Sequence, residues 1–325
     1  MPGIPIVDLG DSDVAAARAI DSACRDNGFF CVTGHGVPTD LIDSLQRAGR
    51  SLFALSPDAK ERVAMSVGGR AWRGWFPLGG EFTNGVPDRK EGFYFGQELP
   101  ATDQRVRDGW ALHGANLFPQ ELPELRRVVL AWLDELTRVG HKVLGLIGLG
   151  LGLPADWFRK NLTSDPTVLF RIFHYPVDGP GEWGVAEHTD YGLLTLLLQD
   201  DCGGLQVNGR MGWVDVAPLP NAFVCNIGDM LERMTGARYR STAHRVRNTS
   251  GRDRLSFPFF FDPSWQARVP ILALDPANDS LGPQHISRWD GQNVFDFDGT
   301  YGDYLVAKVG RVFPDLVPVI SAWVI

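Results

Sequence analysis

His188 and Asp190 stand two residues apart in Glu187-His188-Thr189-Asp190, and His244 follows downstream in Ser241-Thr242-Ala243-His244-Arg245-Val246. Two imidazoles and one carboxylate are the ligand set of the facial triad that holds non-haem Fe(II) and leaves coordination positions open. On a β-strand, residues i and i+2 point to one face. The spacing therefore predicts that His188 and Asp190 grip one ion from a single strand, with His244 delivered by a neighbouring strand. Ten residues beyond His244, Arg254-Leu255-Ser256 puts a guanidinium and a hydroxyl on one strand face. That pairing suits a carboxylate held near the metal.

Two neutral histidines and one carboxylate leave Fe(II) at net charge +1. An α-keto acid can chelate such an ion through its carboxylate and ketone oxygens. Its far carboxylate then needs a deep partner, which Arg254 and Ser256 supply and to which Tyr175 adds a donor. The last open position takes O₂. Strand parity puts Arg171, Phe173 and Tyr175 on one face of 168–175, and Arg254, Ser256 and Phe260 on one face of 254–261. Arg171 reads either as a clamp on a substrate anion or as a plain ion-pair partner. Trp75, Phe173 and Phe260 are expected as pocket walls, with Glu81 and Thr83 at the entrance. A His-x-Asp pair alone is weak, and single histidines are mostly surface or satisfied core residues. His35, His113, His141, His174 and His285 are read that way. Asp229 is read as a turn and helix-cap residue.

The elements that must position these groups change character along the chain. The first half reads as mostly helical, with helical periodicity over 14–25, 40–55 and within 119–151, and strands at 4–9 and 29–33. The stretch 68–95 reads as a Gly-rich, aromatic loop. From 167 onward short β-rich runs alternate with turn residues, and 302–312 reads as a closing helix. The fold expected is mainly β with flanking α: a double-stranded β-helix (jelly-roll, cupin-like) core wrapped by N-terminal and C-terminal helices. One catalytic domain spans 1–325, with a mostly helical N-terminal region over 1–165, a jelly-roll core over 166–275 that carries the metal site, and a C-terminal segment over 276–325.

The 325 residues, 44% hydrophobic, are ample for a large core. Against 31 Lys and Arg stand 39 Asp and Glu, a net charge of −8, which argues against a nucleic-acid partner. No run is long and apolar enough to span a bilayer, and the start shows no leader pattern. Cys24, Cys31, Cys202 and Cys225 lack metal-type spacing and read as reduced thiols of a cytoplasmic protein. No heptad or long apolar edge demands a partner, so a monomer or weak homodimer acting on a small molecule is expected.

These motifs together resemble the isopenicillin-N-synthase-like Fe(II)/2-oxoglutarate-dependent dioxygenases, nearly end to end. The resemblance is carried by Ile4-Pro-Ile-Val-Asp-Leu9, Asn27-Gly-Phe-Phe-Cys-Val-Thr-Gly-His-Gly-Val-Pro38 and His188-Thr-Asp190-Tyr-Gly-Leu-Leu-Thr195. Gly203-Gly-Leu-Gln-Val207, Asn226-Ile-Gly-Asp-Met-Leu231, Arg240-Ser-Thr-Ala-His-Arg-Val246 and Arg254-Leu-Ser256 extend it. It implies iron on His188, Asp190 and His244, and 2-oxoglutarate on Arg254, Ser256 and Tyr175. It implies a reaction that hydroxylates, desaturates or cyclises a small molecule, amino-acid-derived or of secondary metabolism, with release of succinate and CO₂. Isopenicillin N synthase itself is a 2-oxoglutarate-independent alternative; its metal-reaching C-terminal glutamine has no counterpart in Ser321-Ala-Trp-Val-Ile325. Asp103-Gln-Arg-Val-Arg-Asp-Gly-Trp110 and Gly80-Glu-Phe-Thr-Asn-Gly85 are similar to segments of the bacterial ethylene-forming enzyme, which suggests a bacterial subgroup with ethylene formation as a minority reading.

Overall fold

The computed structural model describes residues 3–83, 85–177, 183–274, 291 and 293–314. His285 and residues 321–325 lie outside the described residues. The chain begins with β1 (Ile6–Asp8), α1 (Asp13–Asp26), β2 (Phe29–Thr33), α2 (Thr39–Phe53) and α3 (Pro57–Glu61). β3 (Gly74–Phe76), β4 (Phe82–Thr83), β5 (Val86–Pro87), β6 (Glu91–Gly96) and α4 (Gln104–Arg107) follow. α5 (Leu125–Gly150) and α6 (Trp157–Asn161) precede β7 (Thr167–Tyr175), β8 (Val185–His188), β9 (Leu194–Gln199), β10 (Leu205–Gly209) and β11 (Gly212–Val216). The last elements are β12 (Phe223–Ile227), α7 (Asp229–Met234), β13 (His244–Val246), β14 (Arg254–Asp262) and α8 (Tyr301–Val312).

The strands form an eight-stranded sheet ordered β1-β2-β12-β9-β14-β7-β6-β3, a four-stranded sheet ordered β11-β10-β13-β8, and the pair β4-β5. The two larger sheets enclose a cavity and form the expected jelly-roll. Alternation decides which side each residue serves. Leu169, Arg171, Phe173 and Tyr175 of β7 face the cavity, as do Thr195 and Leu197 of β9. The intervening Phe170, Ile172, Leu194 and Leu196 are buried on the other face, against which α5 lies. α5 repeats buried apolar residues at helical spacing, including Val128, Trp132, Leu136, Val139, Val143 and Ile147. α8 is started by a reciprocal cap in which Thr300 and Asp303 each accept from the other's backbone N–H. No helix among the described residues is long and apolar enough to cross a membrane.

One expectation is corrected. Residues 68–95 are not simply a loop: they carry β3, β4 and β5 and most of β6, and β6 pairs with β7 through six registered residues from Glu91↔His174 to Gly96↔Leu169. Five of the six β6 residues are buried. A strand covered on both faces lacks the apolar–polar alternation by which strands are recognised.

Candidate active site

β13 pairs antiparallel with β8, and His244 stands directly opposite His188. This register brings the two imidazole rings to a centroid separation of 4.2 Å. The expectation that Asp190 shares the His188 strand is corrected, because β8 ends at His188 and Asp190 lies in the irregular connection to β9. Its carboxylate is instead placed by the large sheet. Thr195 and Asn226 are registered partners on β9 and β12. Both donate to Asp190 Oδ2, at 2.5 Å from Thr195 Oγ1 and 2.7 Å from Asn226 Nδ2. The other oxygen, Oδ1, lies 3.9 Å from His188 Nε2 and 3.8 Å from His244 Nε2.

Each histidine is held by its second nitrogen. His188 Nδ1 donates to the Ala186 carbonyl at 2.8 Å, and His244 Nδ1 to the Thr242 carbonyl at 3.2 Å. A carbonyl only accepts, so the proton sits on Nδ1 and each Nε2 turns its lone pair toward the cavity. Burial lowers the pKa of both rings; mutual repulsion with His188 adds to this for His244, which falls to about 4. Burial alone would raise Asp190, but the two histidines and the Asn226 and Thr195 hydrogen bonds outweigh it and hold it below the usual carboxylate range. Two neutral imidazoles and one ionised carboxylate thus converge, the donor set that suits a divalent first-row metal.

Deeper in the cavity, Arg254 is fully buried. Its Nε donates to the Gly203 carbonyl at 2.5 Å and its Nη2 to Gln199 Oε1 at 3.3 Å, while Nη1 is buried without a partner. The Gly203-Gly204 turn that presents this carbonyl needs glycine. Gly204 has φ +89, and a Cβ there would sit 2.1 Å from the Arg247 carbonyl oxygen. Tyr175 OH lies 3.3 Å from Ser256 Oγ, and the Arg254 guanidinium lies over the Tyr175 ring. One cation with a free donor and two hydroxyls face the same space, which suits a carboxylate.

The remaining wall carries charge. Arg171 is sandwiched between the rings of Tyr94 and Phe260, at 4.1 and 4.7 Å, with Nη1 3.7 Å from Glu81 Oε1. Tyr94 OH also donates to Glu81 Oε1, at 2.7 Å. Lys90 is 1% exposed; it pairs with Glu81 at 2.9 Å and with Asp88, and covers the Phe173 ring. Thr83 donates to Asp88 at 2.7 Å. Burial works against every charge here. Lys90 and Arg171 together overcome it at Glu81, whose pKa falls, whereas Asp88 has only the Lys90 cation and is pushed up.

The cavity, of about 1000 Å³, brings together His188, Asp190, His244, Arg254, Ser256 and Tyr175, and also Arg171, Phe173, Phe260, Glu81 and Thr83. It does not include Trp75. That indole turns to the opposite side of β3, where Nε1 donates to Glu91 at 2.9 Å and Lys60 covers the ring. Its neighbour Phe76 packs on Phe173 and Tyr94 instead. Sequence reasoning missed Lys90, Asp88 and Tyr94, because all three fall within 68–95, which reads as a Gly-rich, aromatic loop. It missed Asn226 and Thr195 as supports of Asp190, although both lie in motifs it singled out. Asp229 proves to be the buried first residue of α7, accepting from Ser241 Oγ and Tyr304 OH.

Comparison with known proteins agrees with this geometry. Residues 4–121 match the family described as non-haem dioxygenase in morphine synthesis N-terminal, and residues 166–263 match the 2OG-Fe(II) oxygenase superfamily. The chain is 44% identical to a probable iron/ascorbate oxidoreductase of Dictyostelium discoideum, over 92% of this chain and 89% of that protein. It is 37% identical to a 1-aminocyclopropane-1-carboxylate oxidase of Dictyostelium mucoroides, over 97% of this chain and 96% of that one. The crystal structure of a 2OG-Fe(II) oxygenase family protein from Caulobacter crescentus superposes with a TM-score of 0.78 at 28% identity, covering 96% of this chain and 99% of that one.

Proposed function

The chain belongs to the 2OG-Fe(II) oxygenase superfamily, and on that premise we propose that His188, Asp190 and His244 hold its Fe(II) while Arg254, Ser256 and Tyr175 hold its 2-oxoglutarate. It is an Fe(II)/2-oxoglutarate-dependent oxygenase acting on a small molecule with O₂, rather than a 2-oxoglutarate-independent oxidase. The observation that carries the residue assignment is the convergence of His188 Nε2, His244 Nε2 and Asp190 Oδ1, each with its other heteroatom already engaged.

When bound, the metal and the keto acid supply the oxidation of an unactivated C–H bond, with release of succinate and CO₂. The protein's own groups do the positioning. The Ala186 and Thr242 carbonyls set the histidine tautomers, and Thr195 and Asn226 set the carboxylate rotamer. Arg254 Nη1 is the open donor for the far carboxylate of the keto acid, with Ser256 and Tyr175 beside it. Val185, Leu205, Val246, Leu197 and Pro258 line the same cavity with apolar surface and limit water.

We further propose that the substrate is amino-acid-derived and carries ionic groups, bound against Arg171 and Glu81 between the Phe173 and Phe260 walls; Thr83, expected at the entrance, is instead buried and bonded to Asp88. The buried charges in this wall and the amino-acid name of one relative support the reading. The cavity draws on residues from Phe29 to Val312, which supports one catalytic unit over 1–325. Four free cysteines, three of them buried, fit a reducing cytoplasm, and the charge of −8 disfavours nucleic acid. A monomer or weak homodimer remains our expectation. The test is succinate release coupled to O₂ uptake across a panel of amino-acid-derived compounds. The expected result is dependence on both Fe(II) and 2-oxoglutarate. Iron-loaded protein that turns over no 2-oxoglutarate with any of them would reject the proposed substrate class.

A further inference from the structure

A second cavity, of about 580 Å³, opens beside Thr167, the first residue of β7. Tyr175, at the iron-side cavity, is the last residue of that strand, which at the usual rise puts the two ends about 26 Å apart. The second cavity is walled by Trp110, His113, Trp265 and Leu112, with the His113 ring edge-on to Trp110 at 5.4 Å and to Trp265 at 4.9 Å. Two of its polar groups, Arg73 and Thr167, are incompletely satisfied.

Arg73 is 2% exposed. Its Nη2 donates to the Leu112 carbonyl at 2.8 Å, its Nε is buried without a partner, and among the described residues no carboxylate forms an ion pair with it. Glu98 acts on it only at longer range, since the Glu98 oxygens accept from Asn116 and Arg126. The guanidinium lies against β6: a Cβ at Gly96 would come within 2.2 Å of Nη2 and 2.3 Å of Cζ, so any larger residue there would push the guanidinium from its present place. Thr167 Oγ1 is likewise buried without a partner. At the rim, Arg105 is neutralised by Asp103 and Asp165, both at 2.9 Å or less, whereas Arg73, among the described residues, is a buried cation of this cavity with no ion-pair partner and only the longer-range influence of Glu98. Burial pulls the Arg73 pKa down to about 10. An isolated buried charge is costly, and buried charges in folded proteins are paired.

We propose that this cavity binds a small carboxylate with a flat apolar body, its oxyanion on Arg73 and Thr167 and its body between Trp110, His113 and Trp265. Nothing in the iron-site reading requires such a site. The probe is benzoate, titrated calorimetrically into the full chain, with inorganic phosphate and neutral benzamide alongside. Saturable benzoate binding is expected in the unsubstituted protein and in Arg254→Ala, at least about tenfold weaker binding in Arg73→Gln, and several-fold weaker binding in Thr167→Val; benzamide should not compete. Absence of saturable benzoate binding overturns the proposal. So does binding lost in Arg254→Ala but kept in Arg73→Gln, which would place benzoate in the iron-side cavity. Phosphate binding more tightly than benzoate overturns the organic class in favour of an inorganic anion. Should Arg73→Gln fail to fold, unchanged benzoate affinity in Thr167→Val decides against it.

Discussion

The two ends of the iron-side cavity keep different electrostatic balances. At the metal end, Asp190 is ionised between two neutral histidines, so one negative charge faces the cavity without a cation, and beyond it Arg254 presents one donor without an acceptor. At the substrate end, Lys90, Arg171, Glu81 and Asp88 neutralise one another within the protein. The first arrangement is incomplete by one cation and one anion, as a metal and a keto acid would require. The second has each charge facing an opposite one before anything binds, with Arg171 Nε and Glu81 Oε2 still lacking hydrogen-bond partners among the described residues. A buried site that leaves a charge open indicates what must arrive, while one that closes its charges selects among arrivals by asking them to replace an existing partner.

The strongest way to break this contrast is at the metal end. His244→Ala should reduce iron-dependent 2-oxoglutarate turnover to background while the fold persists, as read by iron content and circular dichroism together. Retained turnover would remove His244 from the ligand set. At the substrate end, Lys90→Met should lower stability by about 3–5 kcal/mol, because it strands Glu81 and Asp88. Adding Glu81→Gln and Asp88→Asn should restore most of that loss in urea unfolding; no restoration would mean that Lys90 acts through packing. Arg254→Ala should weaken 2-oxoglutarate binding by about 2–5 kcal/mol with iron affinity little changed. A parallel loss of iron affinity would show that the metal and cosubstrate positions are not separable. Asn226→Ala should weaken metal binding about 10- to 100-fold, the usual effect of removing a group that orients a ligand.

The smallest expected effect lies behind the substrate end. His174 on β7 points away from the cavity and contacts Glu91 and Asp253. Burial lowers its pKa, but those two carboxylates outweigh burial and raise it above the ordinary histidine value. Its contribution to stability is therefore fully present below the unfolded-state pKa and is lost as pH rises through the higher folded-state value. His174→Asn should flatten the decline of the urea midpoint across that window; an unchanged decline would assign it to another group.

The same contrast explains what could be read in advance. The metal end was legible because its proposed ligands occur in short local runs, and because β-parity carries from sequence to space: Arg254, Ser256 and Phe260 do share a face, as do Arg171, Phe173 and Tyr175. Where parity was extended past the end of β8, to Asp190, a side-chain clamp from another sheet did the positioning. The substrate end was poorly legible because three of its four charges, Glu81, Asp88 and Lys90, come from the connections before β4 and after β5, in sequence that reads as a Gly-rich, aromatic loop. The direction of Trp75 depended on the pairing of β3 with β6, which the aromatic composition did not reveal.

The direct opposition of His244 and His188 across β13 and β8 has a consequence for how the protein reaches its native state. Sliding one strand by a single residue turns every side chain to the other face. A slipped pairing would send one imidazole out of the cavity and leave the ion with an incomplete grip. On the ligand set proposed above, metal affinity would thus also report correct strand alignment, because an ion bound only by the aligned form would favour it over its shifted neighbours.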